Sequence, residues 1–300
     1  MRILVTGAAG FVGRHLIPAL IASGHHVRAA LRDGAPPANV EEFRHGDLAG
    51  EVDWDRAVAN VDAVVHLAGL AHATDALADE RYDRINRDAT AKLAQSATRA
   101  GLQRFVFVSS IRAQTGPVAD HVLNESDVAR PTDAYGRSKL AAEGLVLASG
   151  VPAVVLRPVL VYGRGVKGNM ATLLRLAKLP VPLPLRGLHN RRSLLSVQNL
   201  ASAIEHALSA QACIGQTYVV ADPVAVTIPE IIAALRAGLH RPSRLVRFPA
   251  ALLRAMVRIA LGAHAWDRVA GQLVVEPRKL IEHGWRPNAD TRRALQELVT

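Results

Sequence analysis

A glycine-rich turn directly follows a short apolar run at the start of the chain. The run is Ile3–Val5, and the turn carries Gly7, Gly10 and Gly13 before a segment with helical spacing, residues 11–21. The first glycine permits a tight turn, the second lets backbone amides approach a pyrophosphate, and the third lets helix and strand pack closely. The helix N-terminus adds unpaired N–H groups and partial positive charge. We therefore predict a dinucleotide site here, with a plain tight turn as the alternative.

Length and composition fit a large α/β protein. The chain has 300 residues, half of them hydrophobic, which is enough for one large domain or a core domain with a smaller lobe. Its only cysteine, Cys213, excludes an internal disulfide and fits a reducing compartment. We expect it to be a small buried hydrophobe rather than a catalytic thiol. Because no signal peptide precedes the first strand, we expect a cytoplasmic protein.

Composition also argues against three kinds of partner. No apolar run reaches about 18 residues, the usual length of a membrane-spanning helix. The net charge is +10, but the basic residues are dispersed and no aromatic-rich RNA-binding pattern is present, so we expect no nucleic-acid partner. An anionic small substrate would explain the excess charge equally well. The histidines lack metal-ligand spacing with carboxylates or cysteine, so we predict no metal site.

The order of apolar and helical segments predicts the fold. Up to residue 163, short apolar runs alternate with helical patterns, which indicates an α/β domain with a Rossmann-like, doubly wound parallel sheet. Beyond it, glycine and proline become frequent. We predict that residues 1–163 form the sheet domain with 190–221 returning to it, and that 164–189 and 222–300 form a smaller, mixed C-terminal substrate lobe. Strands are predicted at 3–5, 26–31, 42–45, 61–67, 105–108, 153–157 and 217–220, and helices at 11–21, 80–100 and 134–148.

Tyr135 and Lys139 are the first candidate pair for catalysis. They lie four residues apart in a segment predicted to be helical, so they share one face. A tyrosine hydroxyl has an ordinary pKa of about 10, too high for a base at neutral pH. A nearby ammonium favours the phenolate and lowers this pKa. The alternative is an ordinary Tyr–Lys pair on a helix surface.

Ser110 supplies a third candidate. It follows a predicted buried strand at the carboxyl edge, where doubly wound sheets bind ligands. A hydroxyl there can bind a substrate oxygen and share its proton with Tyr135, whereas a serine that only caps a turn is the alternative. Ser109 takes this role if the strand ends one residue earlier. With the glycine turn, Ser110, Tyr135 and Lys139 form a consistent set.

With these residues in view, the sequence resembles the extended short-chain dehydrogenase/reductase family, in particular its nucleotide-sugar epimerases, dehydratases and reductases. The matching motifs follow the family's order and spacing over nearly the whole chain. They are residues 6–13, 46–48, 66–69, Asn86, 108–110, 135–139, 157–158, 162–163 and 284–287. Stretches 108–112, 134–139 and 182–193 are most similar to the bacterial branch of UDP-sugar 4-epimerases and 4-keto reductases.

The resemblance implies a role for each matched residue. Tyr135 is the acid/base, Lys139 lowers its pKa and binds the cofactor ribose, and Ser110 orients the substrate. Asn86 lies behind the nicotinamide site. The implied cofactor-binding residues are Gly7, Gly10, Phe11, Val12, Gly13, Arg32, Asp47, Leu48, Leu67, Ala68, Gly69, Asn86, Tyr135, Lys139 and Pro158.

Two residues of the second half resemble the family's substrate-binding positions. Asn169 is similar to the asparagine presented to the nucleotide diphosphate, and Arg192 to an arginine that binds the same group. A guanidinium matches phosphate oxygens well. A nucleotide sugar, UDP-linked by this resemblance, is therefore the implied substrate. A solvated basic pair, Arg191 with Arg192, is the alternative.

One departure concerns the choice of cofactor. The NAD-preferring pattern places Asp or Glu at the end of the second strand, but Leu31 stands there, followed by Arg32 and Asp33. Arg32 is suited to a 2′-phosphate, and Asp33 reaches the ribose only if the strand ends later. We favour NADP over NAD.

These observations predict an NAD(P)-dependent enzyme, expected to be a homodimer, that acts at C4 of a nucleotide sugar. We favour a 4-keto-6-deoxy-sugar reductase in surface polysaccharide precursor synthesis, because a reductase must release its cofactor each turn and Arg32 favours NADP. A UDP-sugar 4-epimerase is the alternative. A non-catalytic dinucleotide sensor is a further one, which the presence of Tyr135 and Lys139 disfavours. Dehydration is disfavoured because Ile111 and Arg112 replace the Asp-Glu pair of the family's dehydratases.

Overall fold

The computed structural model describes residues 1–71, 78–261, 266 and 271–299. In chain order its strands are β1 (Arg2–Thr6), β2 (His26–Leu31), β3 (Glu41–Arg44), β4 (Ala63–His66), β5 (Arg104–Val108), β6 (Val122–Leu123), β7 (Ala153–Pro158), β8 (Leu160–Tyr162), β9 (Arg191–Arg192), β10 (Leu194–Ser196), β11 (Thr217–Val220), β12 (Val226–Thr227) and β13 (Val274–Val275). The helices are α1 (Phe11–Ala22), α2 (Trp54–Val58), α3 (Ala78–Tyr82), α4 (Ala89–Arg99), α5 (Ala134–Ala148), α6 (Gly168–Lys178), α7 (Val197–Ser209), α8 (Ile228–Gly238), α9 (Ala250–Leu261), α10 (Arg278–Glu282) and α11 (Thr291–Glu297).

Within the described residues, seven strands form one parallel sheet in the order β11-β7-β5-β4-β1-β2-β3. The chain winds outward from β1 in one direction through β2 and β3, then in the other through β4, β5, β7 and β11. In such a sheet ligands bind at the carboxyl ends of the strands beside the point of reversal, here β1 and β4. The predicted Rossmann-like, doubly wound α/β fold is confirmed.

Helices cover both faces of this sheet. One buried cluster joins inward side chains of the strands to α1 and α7, and Cys213 lies in it, fully buried as predicted. A second cluster on the opposite face joins the strands to α2, α4 and α5. Because both faces are covered, the central strands are continuous apolar runs rather than alternating ones.

Two predicted strands and one predicted helix differ most from the observed elements. The predicted strand 42–45 lies one residue earlier, as β3, and the predicted strand 61–67 is shorter, as β4. The predicted helix 80–100 is divided by a π-helical segment, Asp83–Asp88, between α3 and α4. π turns occur mostly as single turns inside α-helices, and the helical spacing that predicts a helix at 80–100 does not distinguish the two kinds of turn.

A third buried cluster packs residues from β8, α6, α8 and α11, together with Leu183 and Leu188. This cluster meets the sheet through the buried carboxylate of Asp222. It accepts hydrogen bonds from the Tyr162 hydroxyl (2.8 Å), the Asn199 side chain (2.7 Å) and the Ser196 amide (3.0 Å). Among the described residues, no helix is both long and apolar enough to cross a membrane.

Candidate active site

The glycine turn after β1 packs closely on the end of β4. Gly7 has a φ of +69°, in the left-handed region, and a Cβ there would lie 2.8 Å from the Ala68 nitrogen. A Cβ on Gly13 would overlap the carbonyl oxygens of Gly7 and Ala8. Side chains at these two positions would therefore push the turn away from the strand ends. The backbone thus has the close approach that a pyrophosphate site requires.

A cleft of about 230 Å³ opens beside this turn. Seven of the predicted cofactor residues line it, namely Gly7, Gly10, Arg32, Asp47, Leu48, Ala68 and Gly69. Its other lining residues are Ala8, Ala9, Ala30, Leu31, Asp33, His45, Leu70 and Ile85. Backbone amides at one end and apolar side chains with carboxylates at the other fit a dinucleotide. The remaining predicted cofactor residues, Phe11, Val12, Gly13, Leu67, Asn86, Tyr135, Lys139 and Pro158, lie outside this lining.

Ser110 and Tyr135 are brought together at the end of β5. The Ser110 side chain lies close enough to the Tyr135 hydroxyl to act against the rise of its pKa, and the Ser110 hydroxyl accepts from the Arg112 amide (3.1 Å). Asp133 caps α5 by accepting from the Gly136 amide (2.8 Å) and pairs with Arg112 (2.5 Å). The cap and the ion pair therefore fix the first turn of α5, which carries Tyr135, against the loop that carries Ser110.

The predicted pKa shift of Tyr135 is wrong in direction. Burial is the largest influence and raises the pKa of its hydroxyl, while the hydrogen bond from Ser110 acts in the opposite sense. The sequence shows the cation four residues away but not the depth at which the hydroxyl lies. Tyr135 is therefore protonated at neutral pH in this structure.

Lys139 is buried and lies one turn along α5 from Tyr135. Its Nζ donates to the Val108 carbonyl (3.1 Å) and lies 4.6 Å from the centre of the Phe107 ring. Burial lowers the pKa of Lys139 to about 8, and the nearby charge of Glu143 partly opposes this. The ammonium is thus charged at neutral pH but close to its titration.

Ser109, the alternative to Ser110, has a different place. Its hydroxyl donates to Glu143 (2.5 Å), whose carboxylate is paired with the Arg157 guanidinium (2.6 Å). Arg157 also donates to the Gln114 side chain (3.0 Å). This buried cluster ties β5, α5 and β7 together close to the candidate catalytic residues in sequence, and sequence reasoning did not identify it.

Asn86 is buried in the π-helical segment. Its side chain binds both backbone polar groups of Leu70, accepting from the amide (2.7 Å) and donating to the carbonyl (2.9 Å), and it also donates to Ser138 (3.1 Å). Asn86 therefore holds the loop after β4 against α5.

At the far end of the cleft, the Arg32 guanidinium is paired with the Asp33 carboxylate (2.7 Å), and both side chains are largely exposed. His45, which the sequence analysis did not select, lies beside them. Its Nδ1 is buried without a hydrogen-bond partner in the described part of the chain, and burial lowers its pKa. These three side chains therefore lie together at this end of the cleft.

The two predicted substrate residues lie in the second half. Asn169 is exposed near the start of α6. Arg192 in β9 is partly buried and donates to the Gly271 carbonyl (2.7 Å), and burial lowers its pKa. The structure brings neither into contact with Ser110 or Tyr135. Within the described ranges, no three His, Cys, Asp or Glu residues are grouped as metal ligands would be.

The sheet order and the close-packed glycine turn are together typical of a dinucleotide-binding protein. Residues 3–221 match the NAD dependent epimerase/dehydratase family. UDP-glucose 4-epimerase of Vibrio cholerae is 32% identical over 296 residues, covering 95% of this chain and 90% of the relative.

Two further comparisons span the full chain. GDP-6-deoxy-D-mannose reductase of Pseudomonas aeruginosa is 29% identical over 315 residues, covering 100% of this chain and 96% of the relative. The solved structure of MoeE5 in complex with UDP-glucose and NAD has a TM-score of 0.77 at 27% identity, covering 100% of this chain and 97% of that one. The chain belongs to the NAD dependent epimerase/dehydratase family, in agreement with the resemblance found in its sequence.

Proposed function

We propose that this protein acts at C4 of a UDP-linked sugar by oxidising and reducing that carbon, and that its activity is 4-epimerisation. The observation that carries the proposal is the position of Tyr135 beside Ser110 at the end of β5, with the buried Lys139 one turn further along α5. The relatives that include a UDP-glucose 4-epimerase and a UDP-glucose complex support the choice of substrate.

In this proposal the cleft beside Gly7 and Ala68 holds the dinucleotide, and Asn86 fixes the loop against which its nicotinamide half lies. Bound NAD would accept and return a hydride at the sugar carbon. Ser110 holds the C4 oxygen, and Tyr135 takes and returns the proton of that oxygen. The positive charge of Lys139 offsets the phenolate that forms on Tyr135.

An epimerase and a reductase differ in whether the enzyme keeps its cofactor bound from one turnover to the next. The Asp33 carboxylate pairs with the Arg32 guanidinium beside the cleft, so the charge that would favour a 2′-phosphate is partly offset. A retained NAD suits an epimerase, which ends each turn with the cofactor unchanged. The 4-keto-6-deoxy-sugar reductase is the second candidate, supported by Arg32 at the cleft and by the full-length similarity to GDP-6-deoxy-D-mannose reductase.

We also propose which parts of the chain bind the cofactor and which bind the substrate. Residues 1–163 with 190–221 bind the cofactor, and 164–189 with 222–300 bind the nucleotide sugar, Asn169 and Arg192 contacting its diphosphate. We also predict that the protein is located in the cytoplasm, where nucleotide sugars are made, and that it forms a homodimer. Leu145 and Leu147, about two-fifths exposed on α5, are apolar surface that a second copy could cover.

The test uses two incubations of the purified full-length protein. UDP-glucose and UDP-N-acetylglucosamine are each incubated without added reductant, and a UDP-4-keto-6-deoxy sugar is incubated with NADPH or NADH. We expect interconversion of C4 epimers in the first set and no sustained oxidation of reduced cofactor in the second. Stoichiometric oxidation of NADPH with no epimerisation would overturn the epimerase in favour of the reductase, and no turnover in either set would contradict chemistry at C4.

A further inference from the structure

His66 is a buried titratable residue for which the proposed chemistry has no use. It is the last residue of β4 and has no exposed surface. Its Nδ1 lies 2.7 Å from the Thr6 hydroxyl and its Nε2 lies 2.9 Å from the Thr90 hydroxyl. Its ring stacks on Phe107, with centroids 5.6 Å apart, and Lys139 lies over that same ring.

The neighbouring groups determine which nitrogen of His66 carries the proton. The Thr90 hydroxyl donates to the Asn86 carbonyl (2.6 Å), an acceptor that has no hydrogen to give. Thr90 can therefore only accept from His66, so Nε2 is protonated. Burial and the charge of Lys139 lower the pKa of His66 to about 3, so the ring is neutral. Nδ1 then accepts from the Thr6 hydroxyl.

These bonds form a closed circuit around the loop after β4. The Ala68 amide donates to the Thr6 hydroxyl (3.2 Å), which donates to His66. His66 donates to Thr90 and Thr90 to Asn86. The Asn86 side chain binds Leu70, two residues beyond Ala68. Each hydrogen bond in the circuit therefore has one assigned donor and one assigned acceptor.

The circuit joins two parts of the site that are far apart in sequence. Ala68 and Leu70 line the cleft, and Gly7, next to Thr6, begins the glycine turn. Through Asn86 and Ser138 the same circuit reaches α5, where the Ser138 hydroxyl donates to the Tyr135 carbonyl (2.8 Å). His66 is thus linked by hydrogen bonds to the strand end before the glycine turn and, through Thr90, Asn86 and Ser138, to the helix that carries Tyr135.

We propose that His66 is a positioning residue whose neutral Nε2–H tautomer holds the cofactor-binding loop 67–70 in place against Asn86. The proposal rests on the proposed function only in requiring that the cleft bind a dinucleotide. It involves no step on the sugar, so cofactor affinity tests it separately from C4 chemistry.

Two pairs of variants of the full-length protein test the role. His66→Phe keeps a ring on Phe107 and removes both hydrogen bonds, and Thr90→Val removes the hydroxyl at nearly constant shape. Thr90→Ser keeps the hydroxyl and is its matched control. Tyr218 lies on the edge strand β11, and its hydroxyl is hydrogen-bonded to the His283 imidazole (2.6 Å). Tyr218→Phe removes this bond and controls for an effect of lost stability alone.

The NAD dissociation constant is measured by titration calorimetry for each variant. We expect His66→Phe and Thr90→Val to bind NAD about tenfold more weakly, because small misplacements of a preorganised site are costly. Thr90→Ser and Tyr218→Phe should bind it as the wild type does. Wild-type affinity in both Thr90→Val and His66→Phe would overturn the proposal.

The tautomer is read independently from ¹⁵N-histidine NMR of the wild-type protein, which does not depend on any variant folding. The signal missing in His66→Phe or shifted in Thr90→Val assigns the ring. We expect a neutral ring protonated at Nε2 at neutral pH. A ring protonated at Nδ1, or one that titrates near neutrality, would contradict the circuit.

Discussion

A Cβ built on Gly136 would overlap the main-chain carbonyl oxygen of Arg112. The first turn of α5 therefore lies against the loop after β5 with no room for a side chain between them. Tyr135 and Ser110 flank this contact, one on each element. Gly136, next to the candidate acid/base Tyr135, thus allows the helix and the loop to approach closely, which brings Tyr135 beside Ser110.

Gly136→Ala should consequently be destabilising although alanine is the better helix former. We expect a loss of about 1–3 kcal/mol in the free energy of unfolding, as for overpacking at a closed contact, together with a large fall in turnover. Gly144→Ala in the same helix is the matched control, since a Cβ there meets nothing within 4 Å. It should gain up to about 1 kcal/mol. Urea denaturation measures both, and equal effects would contradict the close contact.

Lys139→Met should stabilise the fold while abolishing turnover. The pKa of Lys139 is about 8 when folded and about 10.4 when unfolded. Below pH 8 both states are protonated, so the folded state bears the full cost of burying the ammonium, about 3 kcal/mol. Between these two pKa values the unfolded chain binds more protons, so wild-type stability rises with pH.

The measurement compares urea denaturation of wild type and Lys139→Met at neutral pH and at about pH 9.5. We expect the stability advantage of the variant at neutral pH to shrink at the higher pH. Lys279→Met, at a lysine that lies over Tyr218 but is only partly buried, should show no such pH-dependent gain. An advantage of Lys139→Met that stays constant with pH would argue against a buried charge.

Asp33→Asn should shift cofactor preference toward NADPH. The carboxylate is paired with Arg32 beside the cleft, and its removal frees the guanidinium for a 2′-phosphate. We expect the ratio of NADPH to NADH affinity to rise about tenfold, as for a new charge-assisted contact. Adding Arg32→Ala should cancel the gain. If the single variant leaves the ratio unchanged, Arg32 does not face the 2′ position.

Arg157→Met should cost about 3–5 kcal/mol of unfolding free energy, because it leaves the buried carboxylate of Glu143 unpaired. The double variant Glu143→Leu with Arg157→Met should recover most of that loss. Arg293→Met, at the exposed pair with Glu297, should have no measurable effect. Thermal or urea unfolding distinguishes these cases, and a double variant no better than the single one would exclude a dominant charge penalty.

The sequence predicts the parts of the site that depend on local pattern. Helix α5 has the bounds that the sequence predicts. Strand β5 ends at Val108, so Ser109 and Ser110 are the first two residues after the strand. Because side chains alternate along an extended chain, Ser109 points to Glu143 in the interior and Ser110 to Tyr135. The sequence analysis chose Ser110 on the position of the strand end alone.

The remaining features depend on contacts between distant segments. His66 meets Thr6 only because β4 pairs with β1 in a particular register, and Arg157 meets Glu143 only because β7 lies beneath α5. The raised pKa of Tyr135 follows from its burial, which no local pattern reveals. The π-helical segment that carries Asn86 is likewise included in one predicted helix, because helical spacing does not distinguish a π turn from an α turn.

We infer that Tyr135 carries the proton of the C4 oxygen while the C4 hydrogen leaves and returns without exchange with solvent. The most direct measurement is incubation of the UDP-sugar with wild type and with Tyr135→Phe in D₂O, followed by mass spectrometry of both C4 epimers. We predict inversion at C4 with no deuterium on carbon in the wild type. Tyr135→Phe, with cofactor binding intact, should be slower by about a hundredfold or more. Deuterium at C4, or full turnover by Tyr135→Phe, would contradict the account.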